Sequence, residues 1–163
     1  MGAVQATSLL IKNNCDVLIH VNSEVPQDVP SYGRIKGFLD ICREKNVKHE
    51  LILTDLGNTY KENYDCIFSI VEEIKRKYPN MKKGLFMSND THANVLLNII
   101  VREYGTLPDE FRIVGFDKGT SIILIHSLKG EIMLDAIKKN LIARSTFIFS
   151  LFTWRSTLLF RFS

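Results

Sequence analysis

The sequence predicts an α/β protein of three layers, with helices on both faces of a mainly parallel sheet. Short apolar runs alternate with segments in which apolar residues recur at helical spacing. Because strands and helices of these lengths build right-handed βαβ units, the sheet should be mainly parallel. Two of the apolar runs, 85–87 and 113–114, end abruptly in uncharged polar and acidic residues. This is typical of the carboxyl edge of a parallel sheet, where ligands bind.

The first part of the chain predicts two helices and two strands. The helices span 4–13 and 32–45, and the strands span 17–21 and 49–54. The apolar residues of the second helix fall on one face, as expected for a helix that covers a sheet. The segment between the first strand and the second helix contains Pro26 and Pro30 and predicts a loop.

The second part continues the alternation. A helix is predicted over 64–78, which ends before Pro79, and another over 91–104. Strands are predicted over 83–87 and 111–116. Beyond residue 118 the pattern weakens to a strand over 121–126 and a helix over 131–142.

Length and composition are those of one average soluble domain. The chain has 163 residues, of which 45% are hydrophobic and 24% charged, which excludes a disordered protein. Its three cysteines include no close pair, so neither a disulfide framework nor a zinc ribbon is indicated. The first residues lack the pattern of a signal peptide, and no apolar run is long enough for a membrane helix. We expect a cytoplasmic protein with no membrane partner.

Charge is distributed unevenly along the chain. Up to residue 135 there are 16 basic and 18 acidic residues. The remaining residues include five basic ones and no acid, interspersed with Phe, Ile, Leu and Trp. Such a segment lacks the clustered basic face that binds nucleic acid. We therefore predict that residues 144–163 form an atypical hydrophobic and basic tail.

Polar residues at the strand ends are the candidate ligand-binding groups. Asp90 stands where a helix begins, so we expect it to cap that helix and to leave Asn89 facing a pocket. Asp117 follows the last clear strand and has no strong helix behind it. Arg34 lies in the first turn of a helix, where a cation is unfavourable. It either grips a ligand's hydroxyl or carboxylate groups or covers apolar surface with its stem.

No pattern of residues indicates an enzyme. Ser88 lacks the glycines of a nucleophile elbow, and the four histidines include no ligand pair at a spacing of four. Neither of the glycine-rich phosphate-binding motifs occurs. We expect no cofactor and no metal, and structural roles for His20 and His49.

Four stretches, in order and at compatible spacing, resemble the effector-binding domain of LacI/GalR-type transcription regulators. The stretches are 2–10 with the strand after it, Gly33-Arg-Ile-Lys-Gly-Phe38, Phe86-Met-Ser-Asn-Asp90 through Ala93, and Pro108 through Asp117. These regulators are relatives of periplasmic sugar-binding proteins. The resemblance covers roughly residues 2–117 and implies a periplasmic-binding-protein-like fold of type I, with one lobe nearly complete and the other truncated.

The resemblance also implies which residues bind a small-molecule effector. By position, Arg34, Asn89 and Asp117 correspond to the residues that line the cleft between the family's two lobes. Asp28 occupies a loop position that often adds a polar contact. Leu56 stands where the family often places an aromatic residue that stacks on the ligand.

The resemblance further implies how the chain is organised and what it does. Residues 1–143 form an effector-binding-like domain, with 1–24 a remnant of the N-terminal lobe, 25–117 the C-terminal lobe and 118–143 unassigned. The implied function is that of a truncated sensing domain of a repressor, which binds a sugar-like effector weakly. Operator DNA would be bound through a helix-turn-helix that this chain lacks. A homodimer is a further expected partner.

Two other functions are compatible with a doubly wound sheet. A receiver-like signalling domain would use Asp55 or Asp90 as phosphoacceptor. The first strand ends in His-Val-Asn rather than in the acids that would hold Mg²⁺, which disfavours this alternative. A periplasmic-type sugar-binding protein is disfavoured by the missing signal peptide.

Overall fold

One mixed sheet of six strands organises the part of the chain that the structure describes. The structure, a computed structural model, describes residues 2–23, 32–117, 120–125 and 158–160. In chain order the elements are α1 (Gly2–Lys12), β1 (Val17–Asn22), α2 (Tyr32–Glu44), β2 (His49–Leu53), α3 (Tyr60–Lys77), β3 (Lys83–Met87), α4 (Asp90–Tyr104), β4 (Phe111–Asp117), β5 (Thr120–Ile125) and β6 (Leu158–Phe160). The spatial strand order is β2-β1-β3-β4-β5-β6. The first four strands are parallel, and β5 and β6 continue the sheet antiparallel.

The predicted α/β class and three layers are confirmed. Helices α1 and α2 pack together on one face of the sheet, and α3 and α4 pack together on the other. Successive residues of β1 alternate between the two cores: Val17, Ile19 and Val21 face α3 and α4, whereas Leu18 faces α1 and α2. Burial on both faces explains why β1 reads as a continuous apolar run rather than an alternating one.

The predicted elements up to residue 117 are present, and their boundaries lie within two residues of the predicted ones except at the start of α3. Helix α3 begins at Tyr60, four residues before the predicted start. Its N-terminus is a capping box in which the Thr59 hydroxyl accepts the Glu62 amide while the Glu62 carboxylate accepts the Thr59 amide. Because the first turn of α3 is mostly polar, the apolar spacing that predicts the helix does not reveal where it starts. The helix predicted over 131–142 lies outside the described residues.

The assignment of residues 1–24 to a remnant of the N-terminal lobe stays a prediction; the structure shows how α1 and β1 pack. Strand β1 lies between β2 and β3 and pairs with both. Helix α1 packs against α2, β3 and β4. These first two elements therefore belong to the same three-layer unit as residues 32–117.

The three cysteines are free thiols, as expected from their spacing. Burial raises the pKa of Cys15 to about 11 and that of Cys42 to about 12. Both side chains act as small apolar groups in the core beneath α1 and α2.

Close contact between α4 and β4 depends on Gly115. A Cβ atom at this position would lie 2.7 Å from the Ala93 Cβ and 3.0 Å from the Asn89 carbonyl oxygen. The missing side chain therefore lets the first turn of α4 rest directly on the end of β4. This contact fixes where the residues at the N-terminus of α4 stand relative to the sheet edge.

We expect Gly115→Ala to lower the free energy of unfolding by about 1–3 kcal/mol, because the added methyl group overpacks the contact with α4. Urea unfolding at neutral pH measures the loss. Gly33→Ala is the matched control: no heavy atom lies within 4 Å of its Cβ position, so it should be neutral or stabilising by up to about 1 kcal/mol. Equal stability of the two variants would contradict the proposed role of Gly115.

Candidate functional site

The carboxyl ends of β1 and β3 flank the point at which the chain changes direction across the sheet. These strands are neighbours, with Val21 opposite Met87. The chain leaves β1 for α2 on one face of the sheet and leaves β3 for α4 on the other. Connections that diverge from adjacent parallel strands leave a crevice between them, where doubly wound proteins bind ligands. We call this place the switch-point crevice; it is bordered by residues 22–23 at the end of β1 and 88–89 after β3.

Arg34 reaches across this crevice. Its Nη1 donates a hydrogen bond of 2.8 Å to the Ser88 carbonyl oxygen, joining α2 to the turn that follows β3. The side chain is half-buried. This backbone contact is neither of the two roles considered for Arg34 from the sequence, and the ligand-binding role of Arg34 stays a prediction.

Asn89, rather than Asp90, caps α4. The Asn89 backbone is extended, and its Oδ1 accepts the His92 amide at 2.8 Å. The prediction that Asp90 caps the helix was wrong by one residue, because Asn and Asp are equally good caps and the pattern does not separate neighbours. Among the described residues the Nδ2 of Asn89 makes no hydrogen bond, so this donor is available at the crevice.

Ser88 and His92 form a side-chain pair that the sequence analysis did not identify. The Ser88 Oγ and the His92 Nδ1 are 2.6 Å apart. Ser88 is 5% exposed and His92 is half-buried, and burial lowers the pKa of the His92 imidazole. A serine placed four residues before a histidine at a helix start was the available signal, since the two side chains then lie over the same turn.

His20 supports the floor of the crevice. It is fully buried, stacks on Phe86 with ring centroids 4.3 Å apart, and donates from Nδ1 to the Phe86 carbonyl oxygen at 2.8 Å. The Asn22 Nδ2 lies 3.5 Å from the other ring nitrogen. Burial is the main cause that lowers the His20 pKa to about 4, so the imidazole is neutral. The predicted structural role of His20 is confirmed.

The remaining predicted site residues stand in different places. Leu56 is 1% exposed and belongs to the core beneath α3 and α4, so the expectation that its side chain contacts an effector finds no support. Asp117 ends β4, two residues beyond Gly115, and its backbone pairs with Thr120. The structure thus brings Arg34 and Asn89 together at Ser88 and ends the next strand at Asp117. Asp28 lies outside the described residues.

Within the described ranges, no group of three or more His, Cys, Asp or Glu side chains could hold a metal ion. No helix in that part of the chain is long and apolar enough to cross a membrane.

Asp55, considered above as a phosphoacceptor, is exposed, and its Oδ1 accepts the Gly57 amide at 2.9 Å in the turn after β2.

Comparison with known proteins places the fold. No protein-family model and no curated protein matches the sequence. Among solved structures, a periplasmic binding protein/LacI transcriptional regulator from Alkaliphilus metalliredigens in complex with D-xylulofuranose matches with a TM-score of 0.55 and 24% identity over 75% of this chain and 47% of its own. The fold is periplasmic-binding-protein-like.

Two further structures agree. A LacI-family regulator from Arthrobacter sp. FB24 in complex with lactose has a TM-score of 0.53, 19% identity, and coverage of 71% of this chain and 40% of its own. A periplasmic sugar-binding protein from Legionella pneumophila has a TM-score of 0.54, 15% identity, and coverage of 71% and 41%. The chain therefore spans less than half the length of these structures. The resemblance inferred from the four sequence stretches is confirmed in the fold.

The neutral His20 predicts an acid-sensitive fold. Its pKa falls from the ordinary value of 6.5 in the unfolded chain to about 4 in the folded one. Between these values the unfolded chain binds a proton that the folded chain does not, so stability is lost as the pH falls through this window. From pH 7.5 to pH 5 the loss is roughly 2 kcal/mol.

Urea unfolding at the two pH values measures this loss. His20→Gln is expected to reduce the difference between pH 7.5 and pH 5, whatever it does to absolute stability. His92→Gln should remove a smaller part, because its imidazole is less buried. An unchanged pH dependence in His20→Gln would show that the buried imidazole is not its source.

Proposed function

We propose that this chain is the ligand-sensing part of a LacI-type transcription regulator, and that the switch-point crevice contributes one side of a binding site for a sugar-like molecule. The observation that carries the proposal is the hydrogen bond from Arg34 to the Ser88 carbonyl oxygen. It holds a guanidinium from one helix beside Asn89 at the start of another, at the position where this kind of sheet binds ligands.

The groups at the crevice suit a polyhydroxylated ligand. A guanidinium has five N–H donors, so Arg34 can hold both Ser88 and a ligand oxygen. The Nδ2 of Asn89 supplies a further donor. The sequence resemblance adds Asp117, the last residue of the neighbouring strand β4, and a carboxylate is an acceptor for ligand hydroxyls. Donors and an acceptor on one sheet edge match the paired hydroxyls of a sugar.

The solved neighbours support this choice of ligand. The Arthrobacter regulator is in complex with lactose and the Alkaliphilus protein is in complex with D-xylulofuranose. We infer that a related small molecule is the effector here. In the whole regulator, ligand binding would shift the balance between two arrangements of the sensing domain and so control DNA binding. The role we propose is binding rather than catalysis, in the cytoplasm, with a second copy as a further partner.

Nuclear magnetic resonance titration of the ¹⁵N-labelled chain with lactose and D-xylulose tests the proposal. Because these residues supply one side of a cleft, we expect weak binding, with a Kd of about 1 mM or above. Amide shifts should concentrate at residues 22–23 and 88–93. Arg34→Gln should abolish them, whereas Arg43→Gln, an exposed change in the last turn of the same helix, should leave them intact.

Asn89→Ser separates the capping role from the binding role. Serine is as good a cap as asparagine, so stability should change by less than about 0.5 kcal/mol, while the amide donor is lost and the shifts weaken. Asn89→Ala removes the cap as well and should cost about 1 kcal/mol in urea unfolding. Sugar-induced shifts that survive in both Arg34→Gln and Asn89→Ser, or that lie away from the crevice, would overturn the proposed site.

A further inference from the structure

Ser88 holds the His92 side chain in one orientation. The hydroxyl is buried, and among the described residues its one hydrogen-bond partner is the His92 Nδ1, at 2.6 Å. The His92 backbone is fixed as well, because its amide donates to the Asn89 Oδ1. The imidazole is therefore restrained at both its backbone and its ring, as a preorganised binding group is.

The same contact determines which ring nitrogen carries the proton. A buried hydroxyl hydrogen needs an acceptor, and the His92 Nδ1 is the acceptor in reach. If the hydroxyl donates to Nδ1, the proton of the neutral ring lies on Nε2. Burial favours that neutral ring by lowering the His92 pKa. Among the described residues, His92 Nε2 has no hydrogen-bond partner, so an N–H donor is left for another molecule.

Ser88 also connects His92 to the proposed site. Its carbonyl oxygen accepts from Arg34, its hydroxyl contacts His92, and Asn89 follows it in the chain. Three side chains with N–H donors, Arg34, Asn89 and His92, are thus arranged around one buried residue. Of these, the sequence resemblance implied a ligand role for Arg34 and Asn89 alone.

We propose that His92 is a further specificity-determining residue of the switch-point crevice, whose Nε2–H donates to a hydroxyl or ring oxygen of a polyhydroxylated ligand, and that Ser88 is the residue that positions it. The inference rests on the proposed function. It adds a requirement: the ligand must present one more acceptor oxygen, next to those held by Arg34 and Asn89.

The positioning role of Ser88 is tested without any ligand. In ¹⁵N-histidine-labelled chain, the ring nitrogen shifts report which nitrogen is protonated, and we expect Nε2 to carry the proton of His92 at neutral pH. Ser88→Ala should relax this preference, whereas Ser69→Ala, an exposed serine on α3, should not change it. Protonation of Nδ1 in the wild-type chain, or no effect of Ser88→Ala, would overturn the proposal.

The specificity role is tested with lactose, D-xylulose and their monodeoxy analogues. His92→Leu should weaken binding of the better probe by about 3- to 10-fold, the value of one hydrogen bond, and His92→Gln should restore part of it. One monodeoxy analogue should bind wild type and His92→Leu equally, because it lacks the oxygen that His92 holds. Ser88→Ala, which keeps the imidazole, should weaken the probe by about 2- to 3-fold.

The outcomes separate the two levels of inference. If neither sugar shifts any amide of the wild-type chain, the proposed function fails and this inference fails with it. If the sugars shift residues 88–93 through Arg34 and Asn89, but His92→Leu binds every analogue as wild type does, this inference alone is overturned.

Discussion

Parallel pairing of β1 with β3 places two chain exits side by side, one leading to α2 and the other to α4. Both strands are buried on both faces, so neither can slip in register without moving its apolar side chains out of the two cores. A polar group within such a strand must be satisfied locally, and His20 meets this condition by stacking on Phe86 and bonding to its carbonyl oxygen. The crevice therefore lies at the end of two strands that are buried on both faces and joined by the His20–Phe86 contacts.

Directly after β3, the small residue Ser88 contacts side chains from two helices. Ser88 offers a carbonyl oxygen to Arg34 and a hydroxyl to His92, and it precedes the asparagine that caps α4. Residues from two helices on opposite faces of the sheet thus depend on one turn. This arrangement suits recognition, because side chains whose positions are already determined lose little conformational freedom when a ligand arrives.

The sequence is sufficient to predict most of this fold but only part of the site. Buried strands such as β1 and β3 are visible as apolar runs, and α2 and α4 as helical spacing, because burial itself determines residue type. The sequence predicts helix ends less well, because these depend on which polar groups hydrogen-bond one another. The start of α3 depends on the Thr59–Glu62 capping box, and the predicted cap of α4 was wrong by one residue. For the Ser88–His92 pair, the spacing of four residues was the one signal that the sequence offered. Leu56 was assigned to the effector site from its sequence position alone, and its side chain packs in the hydrophobic core.

The absence of a side chain at Gly115 has a consequence for how binding could vary among related sequences. Because Gly115 has no Cβ atom, α4 rests directly on the backbone of β4, and the helix lies closer to the sheet than any larger residue would allow. A larger residue would act as a spacer that lifts the start of α4, and with it Asn89 and His92, while Arg34 stayed on its own helix. In the proposed site, ligand preference would then change through a residue that contacts no ligand, and residue 115 would determine the width of that site.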